Sequence, residues 1–417
     1  MRAIRQAVGE DHSAGLDLYL HMPFCDSLCA FCGYEKRITQ NHIVEDIYIE
    51  ALVRQWEIYL RRFGGCPEIV RLHMGGGTPT FFSPQNLDRL FSRIMPTLNL
   101  RRNREISFEA HPATATKEHL QTLYGFGFRT IRLGVQDFDA NVLQTINRRQ
   151  SYEDVERTVE TARQIGYKRI IFDLIYGLPF QSSDTVADTM RKAIAFRPDA
   201  IAFYSYIHIP GERPGQRKFK DSSLPQGLKK INLFNLGAGI LQEAGYVQIG
   251  LDHFATKKDV LAKALKKRTL RRSFDGYTHF NCDALLGLGA IAISDAGTAY
   301  AQNMVSVEEF HDTVFSNTLP IQRTHFMSEE DILLKKFIND LMCYGEAKWS
   351  QAIFDSLNAE AKYEVIQIQK EGLIDVDTKG FKVTGLGRPF LRNIGMIFDA
   401  CRHRAPKKHD DAFSLAI

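Results

Sequence analysis

Short apolar runs of strand length recur along the chain, with stretches of helical apolar spacing between them. Leu16–Met22 opens the series and Val44–Arg61 follows as an amphipathic helix. Glu68–Met74 is the second strand, and Pro84 can open the helix Pro84–Met95, because its missing N–H falls where a helix has no acceptor to offer. Glu105–Glu109 and Thr130–Val135 read as the third and fourth strands, separated by a helix near Lys117–Tyr124. Helix Tyr152–Ile165 leads to strand Arg169–Asp173, Ser183–Phe196 to Ala200–Tyr204, and Leu228–Ala244 to Tyr246–Leu251. Strands and helices alternating in this way predict parallel β/α units, six or seven of them in about 240 residues. The expected fold class is therefore α/β, closed as a full or partial parallel (β/α) barrel. A doubly wound open sheet is the alternative, since periodicity does not give strand order.

The pattern changes after residue 300. Val305–Phe315, Glu329–Tyr344, Lys348–Leu357 and Glu360–Glu371 look helical; a Leu373–Val376 and Lys379–Val383 hairpin follows, and Arg388–Arg402 gives a last helix. The reading is an N-terminal arm at 1–15, a barrel domain with a substrate-side extension at 16–300, a mostly helical domain at 301–400, and a basic tail at 401–417. The helix-then-hairpin order of the third segment is that of a winged-helix lid, and Arg402–His409 is expected to be solvated.

Polar or glycine residues stand at the C-terminal ends of the first six strands. The first leads into a group of cysteines and the second into Gly75-Gly76-Gly77-Thr78; the third ends at Glu109. The fourth ends in Gln136-Asp137, the fifth in Asp173, and the sixth in Tyr204-Ser205-Tyr206. In a parallel β/α barrel these ends share one face, where active sites are built. Six in register predict one site.

Composition narrows the function. With 44% hydrophobic and 24% charged residues the chain can bury a sizeable core, which excludes a disordered or low-complexity protein. A net charge of +4 is too weak to imply nucleic acid or a membrane surface, and no aromatic-interleaved basic reading motif appears. Apolar stretches such as Ile170–Tyr176 end well before the roughly 18 residues a membrane span needs. Met1–Gly15 carries Glu10, Asp11 and His12 and no apolar core, so no secretory signal is expected. A cytoplasmic monomer is the expectation. The seven cysteines, an odd number, argue against a disulfide framework.

Three of them, Cys25, Cys29 and Cys32, form a C-x3-C-x2-C loop directly after a strand. Three thiolates on one short loop can hold three corners of an iron–sulfur cubane and leave the fourth iron open. Spacing alone also admits structural zinc completed by His21 or a distant cysteine, or inert buried thiols.

This loop, followed after the next strand by Gly75-Gly76-Gly77-Thr78-Pro79-Thr80, resembles the radical S-adenosylmethionine superfamily. Tyr19-Leu-His-Met-Pro-Phe-Cys25, Gly134-Val-Gln-Asp-Phe138, Asp173-Leu-Ile-Tyr-Gly-Leu-Pro179, Gly250-Leu-Asp-His-Phe-Ala255, Gly276-Tyr-Thr278 and Ala299-Tyr-Ala-Gln-Asn303 resemble the oxygen-independent coproporphyrinogen III oxidases more narrowly. The resemblance runs from about residue 16 to 400.

It implies a radical enzyme of haem biosynthesis that oxidatively decarboxylates two propionates of coproporphyrinogen III to vinyls, giving protoporphyrinogen IX. It implies a [4Fe-4S] cluster on Cys25, Cys29 and Cys32, two S-adenosylmethionine molecules, and an electron donor such as a flavodoxin or ferredoxin. Tyr19, Gly76 and Glu109 would contact the first nucleotide. Phe31, Gly77, Thr78, Gln136, Arg148, Asp173, Ile207 and Ile293 would contact the second. A tetracarboxylate substrate wants cations, and Arg213, Arg217, Lys218 and Lys220 after the sixth strand are candidates. The run Lys257–Arg272, with eight Lys or Arg, reads as the solvated face of a helix.

The chain differs from the family pattern in carrying Tyr34 for a further cysteine, His111 for an aspartate and Ile207 for an alanine, and in a short N-terminal arm. Other activities compatible with the motifs are a tetrapyrrole methyltransferase or ring-opening enzyme and a haem chaperone. The segments Gly276–Thr278 and Asp252-His253 favour the oxidase over the chaperone.

Overall fold

The structure, a computed structural model, describes residues 15–282, 284–377 and 380–399. The N-terminal arm before Gly15, Cys401 and the basic tail lie outside the described residues. Two compact units appear. One comprises residues up to Phe138, Asn147–Asp173 and Asn281–Phe326; the other comprises Asp139–Ile146, Leu174–Phe280 and the chain from Met327 onward.

Twelve strands carry the main sheet pairings. In chain order they are β1 Leu16–Met22, β2 Glu68–Gly76, β3 Asn99–Ala110, β4 Thr130–Gln136, β5 Arg169–Tyr176 and β6 Ala200–Ser205. They continue as β7 Tyr246–Ile249, β8 His253–Thr256, β9 Ala284–Leu288, β10 Ile293–Asp295, β11 Ala299–Asn303 and β12 Ile321–Phe326. In the first unit the order is β12-β11-β10-β9-β1-β2-β3-β4, then the first part of β5. The pairs β9–β1, β1–β2, β2–β3 and β3–β4 are parallel. From β1 to β5 the order is that of the sequence, as in a barrel wall. A doubly wound sheet would reverse about its first strand, so the expected β/α wall is present and the alternative is not.

All seven residues of β1 are buried, which is why it reads as a continuous apolar run rather than an alternation. Intervening helices are bounded by local chemistry. Ser83 caps the helix Pro84–Ile94 by accepting from Asn86 N, with Pro84 in its first turn. Ser151 and Asp154 form a capping box on Tyr152–Ile165, which ends at Gly166 with φ +110°.

Strand β12 and the end of β11 lie in the segment after residue 300 that reads as mostly helical, and β9 and β10 directly precede it. The four form an antiparallel flank in which β9 pairs β10, β10 pairs β11, and β11 pairs β12. β12, Ile-Gln-Arg-Thr-His-Phe, is exposed at five of its six positions, so it carries no apolar alternation to betray an edge strand.

In the second unit the last part of β5 is followed in order by β6, β8 and β7, with β8 antiparallel to both β6 and β7. A separate core is built by helices Glu329–Tyr344 and Ala359–Lys370 around Phe337, Phe381 and Phe398. The expected hairpin is there as Ile374–Val376 against Phe381–Val383, with Glu346–Ala347 added as a third strand. The last helix is shorter than expected. It runs Leu391–Met396 after a 3-10 turn at Arg388–Phe390, where Pro389 offers no N–H to a regular helix.

Candidate active site in the first unit

The cysteine loop, the glycine turn, Glu109 and Gln136 sit at or just beyond the C-terminal ends of parallel strands. After β1 the chain passes Pro23 into Phe24–Cys25, which pairs in parallel with Arg37–Ile38, so the residues between close as a loop. Cys29 and Cys32 lie on that loop, folded by the Cys32 N–H donating to Cys29 O at 3.1 Å. Cys25 Sγ is 3.3 Å from Thr78 Oγ1, and Cys29 Sγ accepts from Arg148 Nη1 at 3.6 Å. None of the three is in a disulfide. Burial pushes the Cys25 thiol up to about 11, with Thr78 opposing and the Cys32 and Cys29 sulfurs adding to the rise. Without a cation such a thiol stays protonated; a bound metal reverses that. No three His, Cys, Asp or Glu side chains among the described residues converge on one point as a single ion requires. A cubane takes its thiolates at separate corners.

The glycine turn is stitched under this loop. The Gly77 N–H donates to Met22 O at 2.7 Å and the Thr78 N–H to Phe24 O at 2.9 Å. A Cβ at Gly77 would lie 2.7 Å from Phe24 O and 2.8 Å from Pro23 C; at Gly75 it would meet the Glu109 carboxylate at 2.9 Å. Gly76 has φ +115°, and its Cβ would strike the His21 ring at 2.7 Å. Three successive positions therefore exclude side chains. They leave bare backbone beside the thiols, a cradle that fits a cluster-bound nucleotide.

A hydrogen-bonded row crosses the strands above it. The register sets Tyr19 opposite His73 and His73 opposite Ser107. The Tyr19 hydroxyl is 3.0 Å from His21 Nδ1, and its ring stacks on His73 at 6.0 Å. His73 bridges Ser107 Oγ at 2.8 Å and Glu109 Oε1 at 3.4 Å, and Glu109 Oε2 accepts from the Gly76 N–H at 3.2 Å. Burial works against the ionised Glu109, yet His73, Arg132 and the Gly76 amide together hold it below the usual range. Burial lowers His21 to about 4, so its ring is neutral, and its Nε2 has no hydrogen-bond partner among the described residues.

Further along, Arg132 Nε donates to both oxygens of Asp173 at 2.7 and 2.8 Å. Burial pushes Asp173 up to about 6 against the pull of Arg132, with Glu109 adding to the rise. Arg148 donates to Gly134 O and to Gln150 Oε1, the latter at 3.1 Å. Gln136 holds φ +70°, a left-handed backbone in a non-glycine residue at a strand end, the kind of strain that clusters at functional sites.

Tyr19, Cys25, Cys29, Gly76, Gly77, Thr78, Glu109 and Arg148 are thus joined by contacts, with Asp173 beside Glu109. Phe31 and Ile293 are half-buried in the same unit, on the cysteine loop and on β10. Ile207 belongs to the second unit, just after β6. Of the cations proposed for substrate, Arg213 is half-buried while Arg217, Lys218 and Lys220 are exposed around the 3-10 turn Pro214–Lys218. Tyr34, 69% exposed, stands within electrostatic reach of Cys32, Glu109, Arg132 and Asp173. Burial and Arg148 hold His111 well below the usual histidine range, hence neutral.

Sequence reasoning overlooked His73 and Arg132. Their signal was the period of two along β2 and β4, which puts His73 on the face of Gly75 and Arg132 on the face of Gly134 and Gln136. The basic run at Lys257–Arg272 is corrected. The helix covers only Val260–Lys267, and Arg272 lies beyond it on a strand, its guanidinium 5.0 Å from the Tyr277 ring centroid and 3.8 Å from Asp252. It is held by tertiary contacts, whereas Lys263, Lys266 and Lys267 are exposed on the helix as the solvated-face reading expects.

Residues 19–193 match the family described as the radical SAM superfamily. Oxygen-independent coproporphyrinogen III oxidase from Pseudomonas aeruginosa is 36% identical over 404 residues, covering 94% of this chain and 88% of that protein. The protein of the same description from Escherichia coli is 35% identical over 405 residues, covering 95% and 88%. A solved structure of coproporphyrinogen III oxidase from Escherichia coli, described as a radical SAM enzyme, matches with a TM-score of 0.87 at 34% identity, covering 95% of this chain and 92% of that one.

Proposed function

The chain belongs to the radical S-adenosylmethionine superfamily and, within it, to the oxygen-independent coproporphyrinogen III oxidases, and from that premise we propose how its own residues carry the reaction. The protein is a radical SAM oxidoreductase of haem biosynthesis that uses a 4Fe-4S cluster and S-adenosylmethionine. The reaction is oxidative decarboxylation of coproporphyrinogen III. Each of two –CH2–CH2–COO⁻ side chains becomes –CH=CH2 by losing carbon dioxide, one hydrogen atom and one electron. When bound, the cluster and its nucleotide supply the one-electron chemistry that begins this oxidation.

Cys25, Cys29 and Cys32 hold the cluster as thiolates. The bare backbone of Gly76 and Gly77 lets the methionine end of the nucleotide approach, with Tyr19 closing one side. Glu109, kept ionised and aimed by His73, accepts from a ribose hydroxyl or ammonium of the first nucleotide. Gln136, Arg148 and Asp173, with Phe31, Gly77, Thr78 and Ile293, serve a second nucleotide, since two hydrogen atoms leave in each turnover. Arg148 offers its guanidinium to a carboxylate. A flavodoxin or ferredoxin delivers the electron. Cys25, Cys29, Cys32, Cys66 and Cys343, which are in no disulfide among the described residues, fit a reducing compartment, the cytoplasm. Among the described residues no helix is long and apolar enough to cross a membrane.

The observation that carries this reading is the thiol loop tied to the glycine turn through Gly77 and Thr78, with Glu109 bonded to the same turn. Its test is an anaerobic assay of reconstituted protein with coproporphyrinogen III, S-adenosylmethionine and a low-potential reductant. Protoporphyrinogen IX and two carbon dioxide molecules per substrate are expected. A methylated or linear pigment, or haem binding without turnover, would move the protein to another activity.

A further inference from the structure

The second unit holds a cation-rich pocket that the reaction described above does not use. Lys230, Arg388 and Arg392 line it with a single carboxylate, Asp252, in a partly open cavity of about 30 Å3. By the measure in which one water needs about 10–15 Å3, that is room for two or three waters or one carboxylate group. Lys230 is 6% exposed and donates to Tyr206 O at 2.6 Å; Arg388 donates to Gly250 O at 3.0 Å. Neither has a carboxylate within ion-pairing distance among the described residues. Asp252 is already engaged: His253 Nδ1 lies 2.8 Å from its Oδ1, and Arg272 also faces it. Its Oδ2 is 3.8 Å from Arg392 Nη2, an ion pair too long to be a hydrogen bond, so the Arg392 fork keeps donors for a guest. Burial lowers Lys230 to about 8 and also lowers Arg388, which marks cations short of counter-charge. Tyr176, Phe234 and Pro389 give the same pocket an apolar side.

We propose that this pocket is a carboxylate-binding site that takes the carboxylate of one propionate of the tetrapyrrole between Lys230, Arg388 and Arg392, with the methylenes left to its open side. The identity of the guest rests on the coproporphyrinogen reading; the pocket itself does not. Three cations against one acid leave a formal excess of +2, which one carboxylate reduces without overfilling the cavity. A planar carboxylate also matches the two-pronged geometry of arginine.

The test uses the full, anaerobically reconstituted chain in two arms. In the first, sodium propionate is titrated calorimetrically at constant ionic strength. Wild type should bind it, Arg392→Gln and Lys230→Gln should lose at least tenfold in affinity, and Arg392→Lys should recover part of the loss. In the second, coproporphyrinogen KM should rise at least tenfold in Arg392→Gln while kcat changes less than twofold and the 5′-deoxyadenosine released without substrate is unchanged. Absence of propionate binding to wild type, or equal binding to wild type and Arg392→Gln, overturns the pocket. Arg392-dependent propionate binding in a protein that makes no protoporphyrinogen upholds the pocket and removes the oxidase reading instead.

Discussion

At the strand ends of the first unit each acid faces its own hydrogen-bond partners: Glu109 has His73 and the Gly76 N–H, and Asp173 has Arg132. Among the described residues of the second unit Asp252 alone answers Arg272 and Arg392, and two further cations beside it have no acid within ion-pairing distance. Both clusters are buried or half-buried, so the contrast is one of balance rather than solvent. A balanced set with bare glycine backbone suits a zwitterionic nucleotide, whose ammonium and carboxylate arrive together. A positive surplus suits an anion that arrives alone. Glycine marks the same difference. In the first unit Gly75, Gly76 and Gly77 are bare because side chains or backbone fill the space a Cβ would need, whereas in the second the cations themselves line the space.

The most severe break of the first arrangement is at its thiols. Cys29→Ala should abolish the broad visible absorption of the reconstituted cluster and all 5′-deoxyadenosine formation, while Cys66→Ala, on a thiol that hydrogen-bonds its own neighbour Pro67, should keep both. Iron content at the wild-type level in Cys29→Ala would refute the assignment. Next in size is Gly77→Ala. Its Cβ at 2.7 Å from a backbone oxygen forces a shift of several tenths of an ångström in the cysteine loop, and displacements of about 1 Å cost turnover about a hundredfold. Gly33→Ala, on the same loop with nothing within 4 Å, should leave turnover within about twofold. Equal rates in the two variants would show that the bare backbone at Gly77 is not used.

The first cluster was far more legible in the sequence than the second, and the reason is physical. Central parallel strands are buried on both faces, so β1 and β2 stand out as apolar runs, and polar residues at their ends are conspicuous against them. The cysteine spacing and the triple glycine are local in sequence, as is the chemistry they serve. His73 was legible only with the register, because a lone histidine inside an apolar strand looks like a packed one. Arg272 could not be separated from the lysines before it. What distinguishes it is an aspartate twenty residues earlier and a tyrosine five residues later, met only after folding. β12 failed for the opposite reason, being polar at its four central positions.

Within the second unit, Asp252→Asn should be the largest single loss of stability. Burial alone would raise this carboxyl, but Arg272, the His253 hydrogen bond and Arg392 hold it well below the usual carboxylate range. Its contribution is therefore present above about pH 4, where an unfolded aspartate is also ionised, and is lost as pH falls further. Removing the shared anion leaves half-buried arginines uncompensated, a loss of about 1–3 kcal/mol once solvent screening is allowed for. Thermal unfolding at pH 7 should show it as a fall of several degrees that is absent in Lys263→Gln; an unchanged midpoint would mean that solvent already compensates the arginines.

Asp173 gives a smaller, pH-graded effect with the opposite sign. Pushed up to about 6, it is protonated below that pH and ionised above it. Its raised affinity for a proton favours the folded state at about pH 4 and that advantage disappears by about pH 6. As an acceptor for a nucleotide hydroxyl it works in the ionised form, so affinity for S-adenosylmethionine should fall up to tenfold per pH unit below 6. Asp173→Asn should flatten the profile. A wild-type profile flat between pH 5 and 7 would place Asp173 outside the nucleotide contacts.

The smallest expected effect is also the one that best separates the two ways of reading a tetracarboxylate. Lys218 lies exposed in the turn Pro214–Lys218, where bulk water and salt screen its charge. Exposed pairs contribute about 0–1 kcal/mol, so at physiological ionic strength Lys218→Ala should raise the coproporphyrinogen KM by no more than about twofold, and the change should vanish at high salt. Arg392, in a pocket with an uncompensated surplus, should show a larger rise that survives added salt. If Lys218→Ala raised KM tenfold while Arg392→Gln did not, the substrate carboxylates would be read by the solvent-facing turn, and the charge imbalance of the second unit would belong to the stability of its fold.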